Sequence, residues 1–173
     1  SRITLADIAA IAGSAQQHGS VYLTADAGPR LAALDPARPI RDQLAGMFSR
    51  PDAPIWMDTS TAEECREITQ AIGGAARLAA LTGSRAFERF TGPQIRRFAR
   101  TRPDAFAATH RIHLVSSFMA SLLLGRHAAV DPGDGSGTNL MDLPAGEWSA
   151  DALAATAPDL ARRLPPIVPS RSI

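Results

Sequence analysis

Ile8-Ala9-Ala10-Ile11-Ala12-Gly13-Ser14-Ala15-Gln16-Gln17-His18-Gly19-Ser20-Val21-Tyr22-Leu23-Thr24 is the stretch on which the fold class turns. Its opening run, Ile8 through Gly13, is made of small and β-branched residues without polar alternation, which predicts a central strand covered on both faces, as in an α/β sheet. Residues 14–18 are polar. From Ser20 the apolar residues alternate up to Thr24, predicting a second strand that ends in a tight turn at Asp26-Ala27-Gly28-Pro29. His18 and its neighbours therefore fall in a polar link between two strands.

Working outward, residues 29–54 are rich in proline and arginine with scattered apolar anchors such as Leu44, Met47 and Phe48, and read as an irregular connection with one helical turn. Pro54-Ile55-Trp56-Met57 reads as a strand. Ser60 with Glu63 has the form of a capping box, so a helix should begin near Thr61, bury Cys65, Ile68 and Ile72, and stop at Gly73-Gly74. A further helix is expected over 75–81, ending near Gly83. Thr91-Gly92-Pro93 opens another, with Ile95, Phe98 and Ala99 as its buried stripe and Arg96, Arg97 and Arg100 outside, up to Arg102-Pro103. Then follow a helical piece over 104–109, a short strand over 112–115, a buried helix over 118–124 stopped at Gly125, and a polar, glycine-rich loop over 131–138. Ser149 caps a helix over 150–157, and Pro158 opens a last turn to Arg163. Strands alternating with helices argue the α/β class, which by itself leaves the chemistry open.

Composition narrows the functions. With 173 residues the chain fits one domain with one core. The 18 cations against 17 acids leave a net charge of +1, which gives no electrostatic reason to seek nucleic acid or an anionic membrane. Every one of those cations is arginine, so a phosphate loop ending in lysine and a lysine Schiff base are both excluded. The single Cys65 forms no intrachain disulfide and fits a reducing compartment, so a cytoplasmic location is expected. No apolar run reaches the ~18 residues of a membrane span, and Asp7 stands where a signal peptide would be apolar. The start lacks a methionine and runs straight into a strand pattern, as expected of a piece of a longer protein.

Four motifs in order raise the chain above a generic domain: Gln16-Gln17-His18-Gly19, Pro54-Ile55-Trp56-Met57-Asp58, Arg89-Phe90-Thr91-Gly92-Pro93, and Asp131-Pro132-Gly133-Asp134-Gly135-Ser136-Gly137-Thr138, with Trp148-Ser149 beyond. Their order and spacing resemble the FGGY-type carbohydrate kinases, the family of xylulokinase, glycerol kinase and gluconokinase. The resemblance runs from about Ile8 to Pro169 and is strongest to the animal-type xylulokinase branch, which has His in the first motif. Pro93-Gln94-Ile95-Arg96-Arg97 departs from many bacterial members, which carry a lysine and a tryptophan there. The animal-type branch lacks them too.

The resemblance implies a ribonuclease H-like, actin-like ATPase lobe, partial here, with a mixed sheet and flanking helices. Residues 1–173 would be part of the N-terminal domain, without its opening phosphate-loop hairpin and without the C-terminal lobe. The implied activity is ATP-dependent phosphorylation of D-xylulose at its 5-hydroxyl. The alternatives are a kinase for another ketopentose or polyol, or a non-catalytic sugar-binding sensor. This segment would supply sugar recognition and be inactive alone, with the general-base aspartate, ATP and Mg2+ belonging mainly to parts outside it. Its partners would be the sugar and the remainder of the kinase chain, with neither nucleic acid nor membrane.

By the same resemblance His18 and Arg89 bind the sugar and Gln17 assists. An imidazole can donate to one hydroxyl and accept from another, and a guanidinium offers several donors in a rigid plane. Asp58, just before a capped helix, reads as structural. Asp131 and Asp134 lack the calcium-hand pattern and read as scaffold, and His110 and His113 are spaced too closely for a helical zinc pair. A sheet edge near Ile8 to Ile11 would invite self-association.

Overall fold

The structure, a computed structural model, describes residues 4–11, 13–169 and 171. The elements run β1 (Ser20–Leu23), α1 (Ala27–Ala32), α2 (Ile40–Leu44), α3 (Ala62–Ile72), α4 (Ala75–Thr82), α5 (Thr91–Thr101) and α6 (Pro103–Ala107). They continue with β2 (Arg111–Leu114), α7 (Val115–Leu124), α8 (Pro132–Ser136), β3 (Met141–Asp142), β4 (Glu147–Trp148), α9 (Ala150–Thr156) and α10 (Leu160–Arg163). β1 and β2 pair antiparallel, Tyr22 facing Ile112, and β3 and β4 form a separate short hairpin. Helices and small sheets together make a partial α/β unit of the kind the motifs imply.

The period of two along β1 builds two cores. Tyr22 and Ile112 enter a large cluster with Ile68, Ile72, Leu78, Ile95, Phe98, Leu140 and Leu160, while Leu23, on the opposite face, joins Ala27, Leu31, Met47 and Phe118. Tyr22 meets Phe98 edge on, with ring centroids 4.7 Å apart. Each fully buried side chain of this size contributes ~1.5–3 kcal/mol. α3 and α5 are also joined by charge: Arg100 pairs with Glu63, Glu64 and Glu67, and Arg96 with Glu67 at 2.6 Å. The helix stops stand where glycine predicted them, with Gly73, Gly83 and Gly125 all in the left-handed region. Ser149 caps α9 by accepting from the Ala152 amide at 3.2 Å.

Several expectations fail for identifiable reasons. The described part of residues 8–13 forms no strand, and Ile8 and Ile11 are 42% and 70% exposed. Ala12 lies outside the described residues. A strand of that composition needs ladder partners, and among the described residues none lies alongside it; apolar content alone does not supply them. Among the described residues, therefore, no sheet edge forms near Ile8 to Ile11. Residues 54–57 form a turn closed by the Asp58 amide on the Ile55 carbonyl at 3.0 Å, leaving Ile55, Trp56 and Met57 exposed.

Asp26-Ala27-Gly28-Pro29 opens α1 instead of a turn, because Pro29 sits in the first helical turn, where its missing N–H costs nothing. Residues 29–54 hold most of α1 and the whole of α2. Residues 131–138 contain the single helical turn α8, started by Pro132 and capped by the Asp131 carboxylate on the Gly133 amide. The Ser60 capping box does not form: Thr61 is the N-cap of α3, and the Ser60 amide donates to Asp58 Oδ1 at 2.7 Å. α7 is buried on one side only, with Met119, Leu123 and Leu124 exposed. No described helix is long and apolar enough to cross a membrane.

Candidate functional site

His18 ends the polar link just before β1, and its backbone is held at φ 68°, in the left-handed region. Side chains there are uncommon, although His is among the residues that tolerate it best. Two contacts fix the ring. Nδ1 lies 3.0 Å from the carbonyl of Gly137, and the ring sits on Phe90 with centroids 4.8 Å apart. A carbonyl only accepts, so Nδ1 carries the proton and the neutral ring presents Nε2 as a free acceptor. Burial lowers the His18 pKa, the Gly137 bond opposes that, and the nearby Arg89 guanidinium lowers it further. The ring is thus neutral at pH 7 and accepts through Nε2. The two-way donor and acceptor role expected of it is not available, because the donor side is already taken.

Arg89 is exposed on the turn that leads into α5, and its guanidinium lies 5.1 Å from the Phe87 ring centroid and 5.6 Å from that of Phe90. Phe90 therefore contacts both groups, the imidazole and the guanidinium. The start of α5 is tied down by the Gly92 amide, which donates to the Thr138 carbonyl at 2.9 Å. A Cβ at position 92 would lie 3.3 Å from that carbonyl oxygen, so the close approach depends on glycine there.

His18 and Arg89 line one open hollow of about 440 Å3 together with Gln16, Gln17 and Trp56. The three residues singled out from sequence are thus brought together, although His18 and Arg89 come from motifs far apart in the chain. The volume lies within the ~300–1,000 Å3 of small-molecule pockets. Its wall offers an imidazole acceptor, a guanidinium, two amides that both donate and accept, and the indole of Trp56 as an apolar plane. Gln16 and Trp56 were missed as lining residues. Trp56 was read as part of a strand, and the signal that could have found it is the Trp-x-Asp motif itself.

Asp58 stands outside this hollow, in a recess with Ser60, Gln94 and Arg97. Burial alone would raise its pKa, but hydrogen bonds from Ser60 and Gln94 and the charge of Arg97 outweigh it and hold the carboxyl low. It accepts from the Ser60 amide at the start of the segment leading into α3. Asp134 accepts a hydrogen bond from Ser116 in a small recess beneath His18. His113 is buried against Ser117 and His127, and among the described residues no group of three or more His, Cys, Asp or Glu is placed to hold a metal ion. A second hollow, of about 470 Å3, is lined by Thr109, His110, Asp159, Arg162 and Arg163 and contains none of the motif residues of the first.

Comparison with known proteins bears on this arrangement. Residues 51–173 match the N-terminal domain of the FGGY family of carbohydrate kinases, a span that includes Trp56, Arg89, Gly137 and Thr138. The chain is 49% identical over 165 residues to xylulose kinase 2 of Arabidopsis thaliana, covering 95% of this chain and 30% of that protein. It is 48% identical over 166 residues to the xylulose kinase of Rattus norvegicus, covering 96% of this chain and 31% of that one. The solved structure of a xyloylose kinase from Brucella ovis superposes with a TM-score of 0.74 at 27% identity, covering 94% of this chain and 29% of that one. The chain spans about 30% of the length of these relatives. Since the family match takes in well over half of its residues, the chain belongs to the FGGY family of carbohydrate kinases.

Proposed function

We propose that this chain is the sugar-recognising part of the N-terminal lobe of a D-xylulose kinase. The whole protein would transfer the terminal phosphoryl group of ATP to the 5-hydroxyl of the ketose. One observation carries the reading: His18 and Arg89, from separate motifs, line the same hollow and both rest on Phe90. High identity to xylulose kinases over nearly the full chain supports the choice of sugar.

In this reading His18 Nε2 accepts a hydrogen bond from a hydroxyl of the ketose, and Arg89 donates to an adjacent hydroxyl or to the keto oxygen. Gln17 adjusts to a further hydroxyl, and Trp56 lies against the carbon face of the sugar. Such contacts orient the acceptor hydroxyl, and phosphoryl transfer depends mainly on positioning and charge stabilisation. Among the described residues, the hollow is lined by no carboxylate that could serve as the base beside the sugar. We assign the nucleotide, Mg2+ and the general base to segments beyond this chain, and expect the chain alone to be inactive.

A sugar-panel phosphorylation assay on the complete kinase tests this, with His18→Ala and Arg89→Ala in parallel. D-xylulose should be the preferred acceptor, and each variant should lose at least ~10-fold in kcat/KM for it. Preference for another ketopentose or a polyol would move the substrate assignment. Sugar binding without phosphorylation would make the protein a sensor, and wild-type kinetics in both variants would overturn the site.

A further inference from the structure

We infer that Asp134 is a positioning residue for this hollow, anchoring α8 on Ser116 so that two consecutive carbonyls, Gly137 O and Thr138 O, hold the two halves of the site in register. The inference deepens the sugar-site reading and rests on it.

Gly137 O accepts from His18 Nδ1 at 3.0 Å, and Thr138 O accepts from the Gly92 amide at 2.9 Å, three residues beyond Arg89. One peptide unit thus separates the carbonyl that sets the imidazole from the carbonyl that sets the turn bearing the guanidinium. The flanks of that segment are held, Val130 by a bridge to Ile167 and Asn139 by bonds to Thr82 and Ser84, and the turn between them is the part that needs its own anchor. α8 is a single turn of sequence Pro-Gly-Asp-Gly-Ser, and two glycines in five residues make a poor helix. Asp131 Oδ1 with the Gly133 amide and Thr138 Oγ1 with the Gly135 carbonyl shape the turn from within.

The Ser116 to Asp134 hydrogen bond ties the middle of the turn. Ser116 is the second residue of α7, which follows β2 directly, and β2 pairs with β1, which begins at Ser20, two residues past His18. The connection therefore closes a ring from His18 through β1, β2, Ser116, Asp134 and Gly137 back to the His18 imidazole. A hydroxyl on a carboxylate is a charge-assisted bond, stronger than a neutral pair. Asp134 does not line the hollow that holds Arg89 and Trp56, so it acts through His18 and not by touching the sugar.

Two readouts test this. In the complete kinase, Asp134→Ala and Ser116→Ala should each raise the ketose KM about tenfold while leaving the KM for ATP unchanged. Asp134→Asn still accepts from Ser116 and should stay within about threefold of wild type. Labelling the complete kinase with 15N-histidine reads the ring itself. The His18 signal, identified by its loss in His18→Ala, should report an Nδ1-protonated ring, and Ser116→Ala should convert it to a mixture of tautomers. Ser116→Ala removes one oxygen, so it keeps the test open if Asp134→Ala does not fold. Unchanged ketose KM and an unchanged His18 tautomer in Ser116→Ala, with His18→Ala impaired, overturn the positioning role alone. An unimpaired His18→Ala overturns the sugar reading, and the tautomer still decides the positioning.

Discussion

His113 Nε2 lies 3.0 Å from His127 Nδ1, with the two rings stacked at 5.2 Å, and together with Ser117 they form a one-directional chain of hydrogen bonds. The Ser117 hydroxyl donates to the Leu114 carbonyl at 3.1 Å, so it accepts from His113 Nδ1 at 3.0 Å. His113 Nε2 is then the acceptor for His127 Nδ1–H, so His113 is neutral, and burial lowers the His127 pKa as well. A proton added to His113 would set two N–H groups against each other in a buried place.

Acid should therefore unfold this protein through His113. Burial, then His127, then Arg111 lower its pKa to about 3 in the folded chain, against 6.5 when unfolded. The unfolded state binds the extra proton between those values. Stability is fully present above pH 6.5 and falls as the pH drops toward 3, by up to about 1.4 kcal/mol per unit. Urea melts at pH 7.5, 6.0 and 5.0 should show the loss, and His113→Gln should flatten it while lowering stability at pH 7.5.

The left-handed backbone at His18 separates two substitutions that remove the same ring. His18→Ala keeps the strained φ of 68°, whereas His18→Gly relieves it. Glycine should be the more stable variant by about 1 kcal/mol in chemical denaturation, and both should lose ketose affinity. Equal stability would show that the backbone relaxes once the ring is gone.

Arg100 bridges three carboxylates of α3, of which Glu64 is fully buried. Removing the cation leaves a buried carboxylate without its partner, which costs more than the pair contributes. Arg100→Ala should lower the melting temperature by several degrees, and adding Glu64→Gln should recover much of it. A double mutant that melts below Arg100→Ala would contradict the account.

Gly92→Ala places a methyl 3.2 Å from Leu140 Cδ2 and 3.3 Å from the Thr138 carbonyl oxygen. That oxygen cannot retreat without stretching its bond to the Gly92 amide. The variant should be destabilised by about 1–3 kcal/mol, although alanine is the better helix former, and should weaken sugar binding through the displaced Arg89 turn.

Helix ends were legible in the sequence because caps and glycines act locally: Gly73, Gly83, Gly125 and Ser149 all stand where they were expected to. Apolar runs misled, since Ile8 to Ile11 and Ile55 to Met57 have the composition of strands, while ladder partners come from elsewhere in the chain. His18, Gln17 and Arg89 were found through motif resemblance, and no spacing rule would have joined them. The Ser116 to Asp134 link and the occupied Nδ1 of His18 are contacts between distant positions, and one sequence carries no signal for them.

Calorimetric titration of D-xylulose into the complete kinase, its His18→Ala and Arg89→Ala variants and the double variant tests the shared hollow most directly. Each single change should weaken binding at least ~10-fold, and the double variant should lose less than the product of the two, because both groups hold one sugar. Wild-type affinity in either single variant would contradict the account.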